Sequence, residues 1–392
     1  MLAPMNSYFA DLHIHIGQTN SGKPVKITAS RSLTLENILI EASEHKGIDI
    51  VGIIDCHVPE IILTLEKLLE DGSCVELEGG GIRFQQTTLI LGSELEIYDE
   101  SCKGPIHVLV YFPTLQKMKE FSIWLSKRVT NNTLSSQRIY ETGKTLQTVV
   151  KELDGLFIPA HIFTPHKSLY GSGVSQSLKE VFNPDQFDAV ELGLSSDTKM
   201  ADQIAELHTY PFLTNSDAHS LPKIGREYQK LLLNDPNFLE LKNALRNENG
   251  RSIVANYGLN PYLGKYYETT CEKCGQKPEI GATICESCGS ERFTKGVSKR
   301  LKELSNGLKN NNPRPPYIHQ VPLQFIPGLG PKTLEKLKDL FGTEMNILHE
   351  VPRTELQKVV SEKIAEYIVA AREGRLQVNS GGGGTYGKIT GI

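Results

Sequence analysis

The sequence predicts an α/β chain: a distorted β/α barrel, then a small four-cysteine metal ribbon, then a helical domain. Three observations predict it. Short apolar runs alternate with segments of helical period from residue 8 to about 260. Histidines and carboxylates recur where those runs end. Two C-x-x-C pairs lie within residues 271–288.

The apolar runs predict strands at Ile48–Ile54, Thr88–Leu91, His107–Tyr111, Leu156–Ala160, Ala189–Leu192 and Phe212–Thr214, with helices at Leu33–His45 and Pro59–Leu69 between them. Such alternation is the pattern of a largely parallel sheet, which can close into a barrel. In α/β barrels the loops after the strands converge on one face, and chemistry gathers there.

At 392 residues, 39% hydrophobic and 22% charged, the chain has the composition of an ordinary globular protein of two or three domains. The opening MLAPMNSYFADLHIH has neither a basic nor an apolar leader region, and no run approaches the roughly 18 apolar residues of a membrane span. The expectation is a soluble cytoplasmic protein with no membrane partner. The net charge of −4 hides an asymmetry. Residues 295–392 carry 15 Lys+Arg against 9 Asp+Glu, leaving 27 against 37 for residues 1–294. An acidic body suits cations and a basic tail suits phosphate.

The candidate ligands follow in chain order. Alternation along a strand points His13 and His15 of DLHIH the same way, about 6.5 to 7 Å apart. GIIDCHVP ends a strand with Asp55 and His57, and LILGSELEIYD places Glu94 just after a strand and a glycine. His107 opens PIHVLVYF, His161 closes LFIPAHIF, and LTNSDAHS supplies Asp217 and His219. Imidazole and carboxylate suit zinc, manganese or iron, and a carboxylate such as Glu94 can bridge two ions.

These motifs, in this order over residues 8–260, resemble the PHP (polymerase and histidinol phosphatase) domain. The resemblance implies a PHP-type distorted barrel holding two or three divalent ions, Zn²⁺, Mg²⁺ or Mn²⁺. It implies that His13 and His15 bind a first ion with Glu94 and Asp217, and that Glu94 bridges to an ion shared with His107 and His161. His57 and His219 serve a third. Asp217, Glu94 and His15 then stand at the reacting centre. PHP proteins often have Asp and His adjacent at the second motif; here Cys56 intervenes, leaving open whether Asp55, His57 or both ligate.

Cys271-Glu-Lys-Cys274-Gly and Cys285-Glu-Ser-Cys288-Gly form two knuckles ten residues apart, a set that closes a tetrahedral structural zinc shell. Next, FIPGLGPKTLEKLKDLFG resembles a helix–hairpin–helix. The backbone of Gly328 and Gly330 at a helix start, with Lys332 and Thr333 beside them, would hold a DNA phosphate without reading sequence. A following stretch, LQKVVSEKIAEYIVAAREG, reads as a second copy without the glycine hairpin. The boundaries expected are 1–262 for the barrel, 263–296 for the ribbon, 297–318 for a polar linker, 319–376 for the helices and 377–392 for a glycine-rich tail.

This order of parts resembles the endonuclease Q family of DNA repair enzymes. The resemblance implies a metal-dependent endonuclease that cuts 5′ to deaminated bases (uracil, hypoxanthine, xanthine) and at abasic sites, with damaged double-stranded DNA as its partner. Reading a base inside a duplex calls for flipping it into a pocket. The candidate pocket elements are His166, Ser168 and Tyr170 of the HIFTPHKSLYGSG loop and Tyr386 of the tail. Two other classes fit parts of the chain: a phosphatase for small esters, and a non-catalytic DNA-binding scaffold. The ribbon and hairpin speak against the first, and the full ligand set against the second.

Overall fold

The computed structural model describes residues 5–264, 266–279, 281–308, 310, 312–379 and 388–392. The sheet is built around the strands Asn6–Ile14, Ile50–Ile53, Thr87–Ile97, Ile106–Phe112 and Leu156–Pro159; the last four lie within a residue or two of their predicted places or extend them. Val190–Glu191 and Phe212–Leu213 pair separately. The sheet is less parallel than predicted. The first three strands run parallel, but Thr87–Ile97 turns back directly into Ile106–Phe112 through a short loop, which forces an antiparallel pair. Leu156–Pro159 and Tyr228–Leu233 are antiparallel to their neighbours as well.

Two apolar layers follow from strand alternation. Ala10, Leu12, Ile50, Ile90, Leu109, Tyr111 and Ile158 form the barrel interior. Ile14, Val51, Ile53, Leu89, Leu91 and Val108 face the helices. Burying both faces explains the near-continuous apolar runs in the sequence. The interior layer fills only one end of the barrel. Along Thr87–Ile97 the interior positions read Ile90, Gly92, Glu94, so the same face changes from core to polar site. In the first strand a bulge between Asp11 and Ile14 swaps the faces. His13 and His15, rather than Ile14, then continue the interior side begun by Ala10 and Leu12.

The expected polar linker is largely structured. Val297–Leu304 is a helix with Val297 and Leu301 buried, and Tyr317–His319 adds a parallel strand to Ser252–Gly258. Between them Arg314 donates to Asp202 (3.0 Å) and to the Leu207 carbonyl (2.9 Å), its guanidinium 3.8 Å from the Phe212 ring. The Val297/Leu301/Leu304 spacing is helical, but it is short and set among charged residues.

The C-terminal helices Pro331–Phe341, Glu344–His349 and Glu362–Arg372 dock on the barrel. Lys46 and Glu344 make a buried 2.9 Å ion pair. The His349 ring stacks on Phe9 at 4.6 Å and bonds the Tyr228 hydroxyl at 2.7 Å. No helix among the described residues is long and apolar enough to cross a membrane.

One buried carboxyl in this region sets a pH dependence. Glu227 Oε1 accepts from the Leu259 amide (2.7 Å), while its buried Oε2 has no hydrogen-bond partner. Burial pushes the Glu227 carboxyl up to about 8, against 4.5 when unfolded. Between those values the folded chain keeps a proton that the unfolded chain releases, so stability falls as pH rises from 4.5 to 8 and levels off above. Glu227→Gln keeps the acceptor and removes the titration. Its unfolding free energy relative to the parent is expected to climb across that window, by an increment on the order of a few kcal/mol. A parent–variant difference that stays flat from pH 5 to 8.5 would refute this.

Candidate metal centre

The strand ends bring nine side chains toward one mouth of the barrel, and seven form three overlapping groups. His13, His15 and Glu94 make one, Glu94, His107 and His161 a second, and His15, Asp217 and His219 a third. Within each, the ligand-capable atoms lie within 4.8 Å of one another. Glu94 and His15 are each shared by two groups. Glu94 Oε1 is 2.9 Å from His107 Nδ1, 3.5 Å from His13 Nε2 and 3.6 Å from His161 Nε2. Asp217 Oδ1 is 3.3 Å from His219 Nε2, 3.5 Å from His13 Nε2 and 3.6 Å from His15 Nε2.

This donor set fits divalent ions. The Nε2 atoms of His13 and His15 are buried without a hydrogen-bond partner, a costly state for a polar atom that a bound cation relieves. Their opposite nitrogens are held: His13 Nδ1 lies 3.0 Å from Glu191 Oε1, and His15 Nδ1 lies 3.2 Å from Asp55 Oδ2. A carboxylate behind each imidazole leaves Nε2 free to ligate. Although burial alone would raise them, Glu94 is held well below the usual carboxylate range by His107 and Lys26, and Asp217 by His13 and His219. Burial and the Lys26 charge lower His15 to about 4, so it is neutral at pH 7. His13 goes the other way: burial opposes its charge, but Glu191 and Asp217 outweigh it.

The backbone reinforces the placement. His161 (φ 31) and Asp217 (φ 45) both sit at positive φ, where non-glycine residues are uncommon and mark sites the surroundings over-determine. Gly193 (φ 76) packs against His161, and a Cβ there would meet the His161 Cβ at 2.8 Å.

Several expectations need correction. Asp55 and His57 fall outside the three groups. Asp55 Oδ2 accepts from the Ile16 amide (2.8 Å) and faces His15, so this oxygen orients the imidazole, while the buried Oδ1 has no hydrogen-bond partner. His57 is buried with Nδ1 on Ser93 Oγ at 2.8 Å. The expected pocket residues Ser168 and Tyr170 are fully buried. Arg300 clamps that loop through the carbonyls of Tyr170 and Val174, and the Tyr170 hydroxyl donates to Glu206. His166 is exposed, with its ring 5.8 Å from Tyr266. Tyr386 lies outside the described residues.

The cavity beside the ligands is elsewhere. It has a volume of about 280 Å³ and opens between His161, Asp217 and His219 on one side and Phe163, Ser195 and Tyr266 on the other. Two neighbours of the site carry no sequence signature. Glu191 holds His13, the His161 amide (2.8 Å) and Asn215 (2.7 Å). Lys26 reaches Glu94 at 3.1 Å and Ser136 at 2.5 Å. Glu191 lies one residue before the end of the predicted strand Ala189–Leu192, and that position was the available clue. Lys26 comes from a loop and had none.

The four cysteines also converge. Sγ of Cys271 lies 3.5 Å from that of Cys288, and Cys274 is equally far from Cys285. A disulfide needs about 2.05 Å. A tetrahedron with metal–sulfur bonds of about 2.3 Å has edges near 3.8 Å, so the group fits one structural zinc. At the hairpin, Gly328 (φ 84), Gly330 and Lys332 are exposed, with Thr333 half-buried, at the amino end of Pro331–Phe341.

A family model described as PHP-associated matches residues 196–249. The chain is 62% identical to the protein YqxK of Bacillus subtilis over 385 residues, 98% of this chain and all of that one. It is similar to the crystal structure of a lesion-specific endonuclease from Pyrococcus furiosus, with a TM-score of 0.83 and 32% identity over 98% of this chain and 95% of that one. It is equally similar to endonuclease Q in complex with a 27-mer duplex bearing an abasic lesion at the active site, with a TM-score of 0.84 and 31% identity over 99% and 97% of the two chains.

Proposed function

The chain belongs to the endonuclease Q family of PHP-fold DNA repair endonucleases, and from that premise we propose that it nicks duplex DNA 5′ to deaminated bases and abasic sites. The observation that carries this reading is the cavity of about 280 Å³ whose wall is formed by Asp217, His161 and His219. A space of that size beside the ligand cluster suits a single extruded nucleotide. A nucleotide turned out of the helix into it would bring its own phosphate to the ligand cluster. Lesions lower the cost of that turn, because a damaged or missing base is already poorly paired.

In this reading His13, His15, Glu94, His107, His161, Asp217 and His219 hold the ions, with Asp55 and Glu191 orienting the imidazoles. Divalent ions held there would acidify water and offset charge on the phosphoryl oxygens. Phe163 and Tyr266 flank the extruded group. The amino end of Pro331–Phe341, with Gly328, Gly330, Lys332 and Thr333, holds backbone phosphate at a distance from the cut. Zinc in the ribbon keeps residues 271–288 folded and takes no part in the reaction.

The test is direct. End-labelled duplexes carrying one uracil, hypoxanthine, xanthine or abasic site, or none, are incubated with the protein and Mg²⁺, Mn²⁺ or Zn²⁺. A single nick 5′ to each lesion, with the undamaged duplex intact, is the expected result. Phosphate release from small esters with every duplex intact would refute the proposal in favour of a phosphatase.

A further inference from the structure

Two short stretches of chain leave the metal centre side by side. Thr87–Ile97 and Arg138–Ile139 pair in parallel, with Glu96 opposite Arg138 and Ile97 opposite Ile139. Ile97 and Ile139 are buried. Alternation therefore puts the residues on either side of them on the other face, which is the face of Glu94. Along one stretch that face reads Glu94, Glu96, Tyr98, and along the other Ser136, Arg138, Tyr140. The inner ends touch, since Ser136 Oγ donates to Glu94 Oε2. The outer ends are open: Glu94 is 1% exposed, Tyr98 37% and Tyr140 63%.

The outer ends are also assembled. The Arg138 guanidinium lies 4.8 Å from the Tyr98 ring centroid and 5.6 Å from that of Tyr140. Arg138 Nη2 donates to the Tyr98 carbonyl at 2.5 Å. The Tyr140 hydroxyl is 3.4 Å from Thr130 Oγ1. Fold packing does not account for two tyrosines and an arginine stacked together on an exposed surface, since all three side chains face outward. Planar side chains of this kind offer a π-face to a base.

We propose that Tyr98, Arg138 and Tyr140 form a stacking platform for a base of the substrate DNA within about four nucleotides of the cut phosphate, an inference that rests on the endonuclease reading above. Four residues of strand separate Tyr98 from Glu94, about 13 Å at 3.3 Å per residue. A DNA strand advances about 3.4 Å per nucleotide along the duplex axis. The occupant is a base and not a phosphate, because acid outweighs base in the same recess, with Asp99, Glu100, Glu141 and Glu180 against Arg138 and Lys144. Their charges leave a neutral ring unaffected. Turning a lesion nucleotide out of the helix strips a neighbour of its stacking partner, and the platform replaces that partner.

The test uses the full-length protein and abasic duplexes with 2-aminopurine at each of the five positions on either side of the lesion, read by stopped-flow fluorescence on mixing. With the parent, one or two positions within four nucleotides of the lesion are expected to change. Tyr98→Ala and Tyr140→Ala should abolish that change and raise KM about 5- to 100-fold, the range of a lost base–aromatic stack. Neither should alter the salt dependence, since no charge is removed. Tyr140→Phe should behave as the parent. Both side chains are exposed, so the melting point should hold; a variant that melts early is replaced by Tyr→Leu at the same position. If both alanine variants keep KM within twofold and leave the fluorescence pattern unchanged, the platform is overturned while the endonuclease reading stands. If the parent neither binds nor cuts the lesion duplex, both fall.

Discussion

Glu94→Gln and Asp217→Ala are each expected to cut lesion-dependent nicking by about 10²- to 10³-fold, the scale on which preorganised charge acts, while leaving duplex binding within a few-fold of the parent. Glu94 is the only carboxylate common to two of the three ligand groups, so its loss disrupts both at once. Asp217 Oδ1 faces three imidazoles within 3.6 Å. Neither residue is part of the apolar core, and each sits among cations that lose a partner when it goes. Bound metal content should therefore fall together with activity, without collapse of the fold. A comparison sharpens the test. Glu191→Gln keeps the size of a side chain that holds His13 Nδ1, the His161 amide and Asn215, and losses of such outer partners run about 10- to 100-fold. Nicking by gel and binding by anisotropy separate the cases. If Glu94→Gln still nicks within tenfold of the parent, Glu94 is not a shared ligand.

Replacing Cys271 and Cys285 together by serine is expected to release one equivalent of zinc and unfold the ribbon. The apolar content of residues 266–296 is small, and its two strands, Thr270–Cys271 and Phe293–Thr294, have two residues each. Metal binding to such a segment is most of its folding free energy, on the order of 10 kcal/mol. The barrel should remain folded, because its two core layers include neither knuckle's cysteines. Zinc per chain by elemental analysis and limited proteolysis within 266–296 provide the readout. Unchanged zinc content with an intact ribbon would remove these cysteines from the metal.

Much of the ligand cluster was legible in the sequence, because ligation selects particular residue types and strand ends put them at predictable places. His13, His15, Glu94, His107, His161, Asp217 and His219 all come to one mouth of the barrel. Whether Asp55 and His57 ligate was not legible, for a physical reason. Alternation says which face a side chain takes, and not whether it reaches the ion or stands one shell behind it. Asp55 stands beside His15 with Oδ2 taken by the Ile16 amide and the imidazole and with Oδ1 unpartnered. Glu191 escaped notice because a lone Glu at a strand end has no pattern of its own. The HIFTPHKSLYGSG loop contained chemically suitable residues, but Arg300, some 130 residues away in sequence, holds Tyr170 and Val174 from beneath and leaves Ser168 and Tyr170 buried.

By itself, then, the sequence determined the α/β class, the cysteine knuckles and most of the residues that meet in the three candidate metal groups, since these depend on local periodicity, spacing and side-chain chemistry. Tertiary structure alone decided the mixed strand directions, the bulge that turns His13 and His15 inward, the cavity beside Asp217 and the Tyr98–Arg138–Tyr140 surface. Each of these depends on segments far apart in the chain meeting in one register, and no local pattern of residues encodes where they meet.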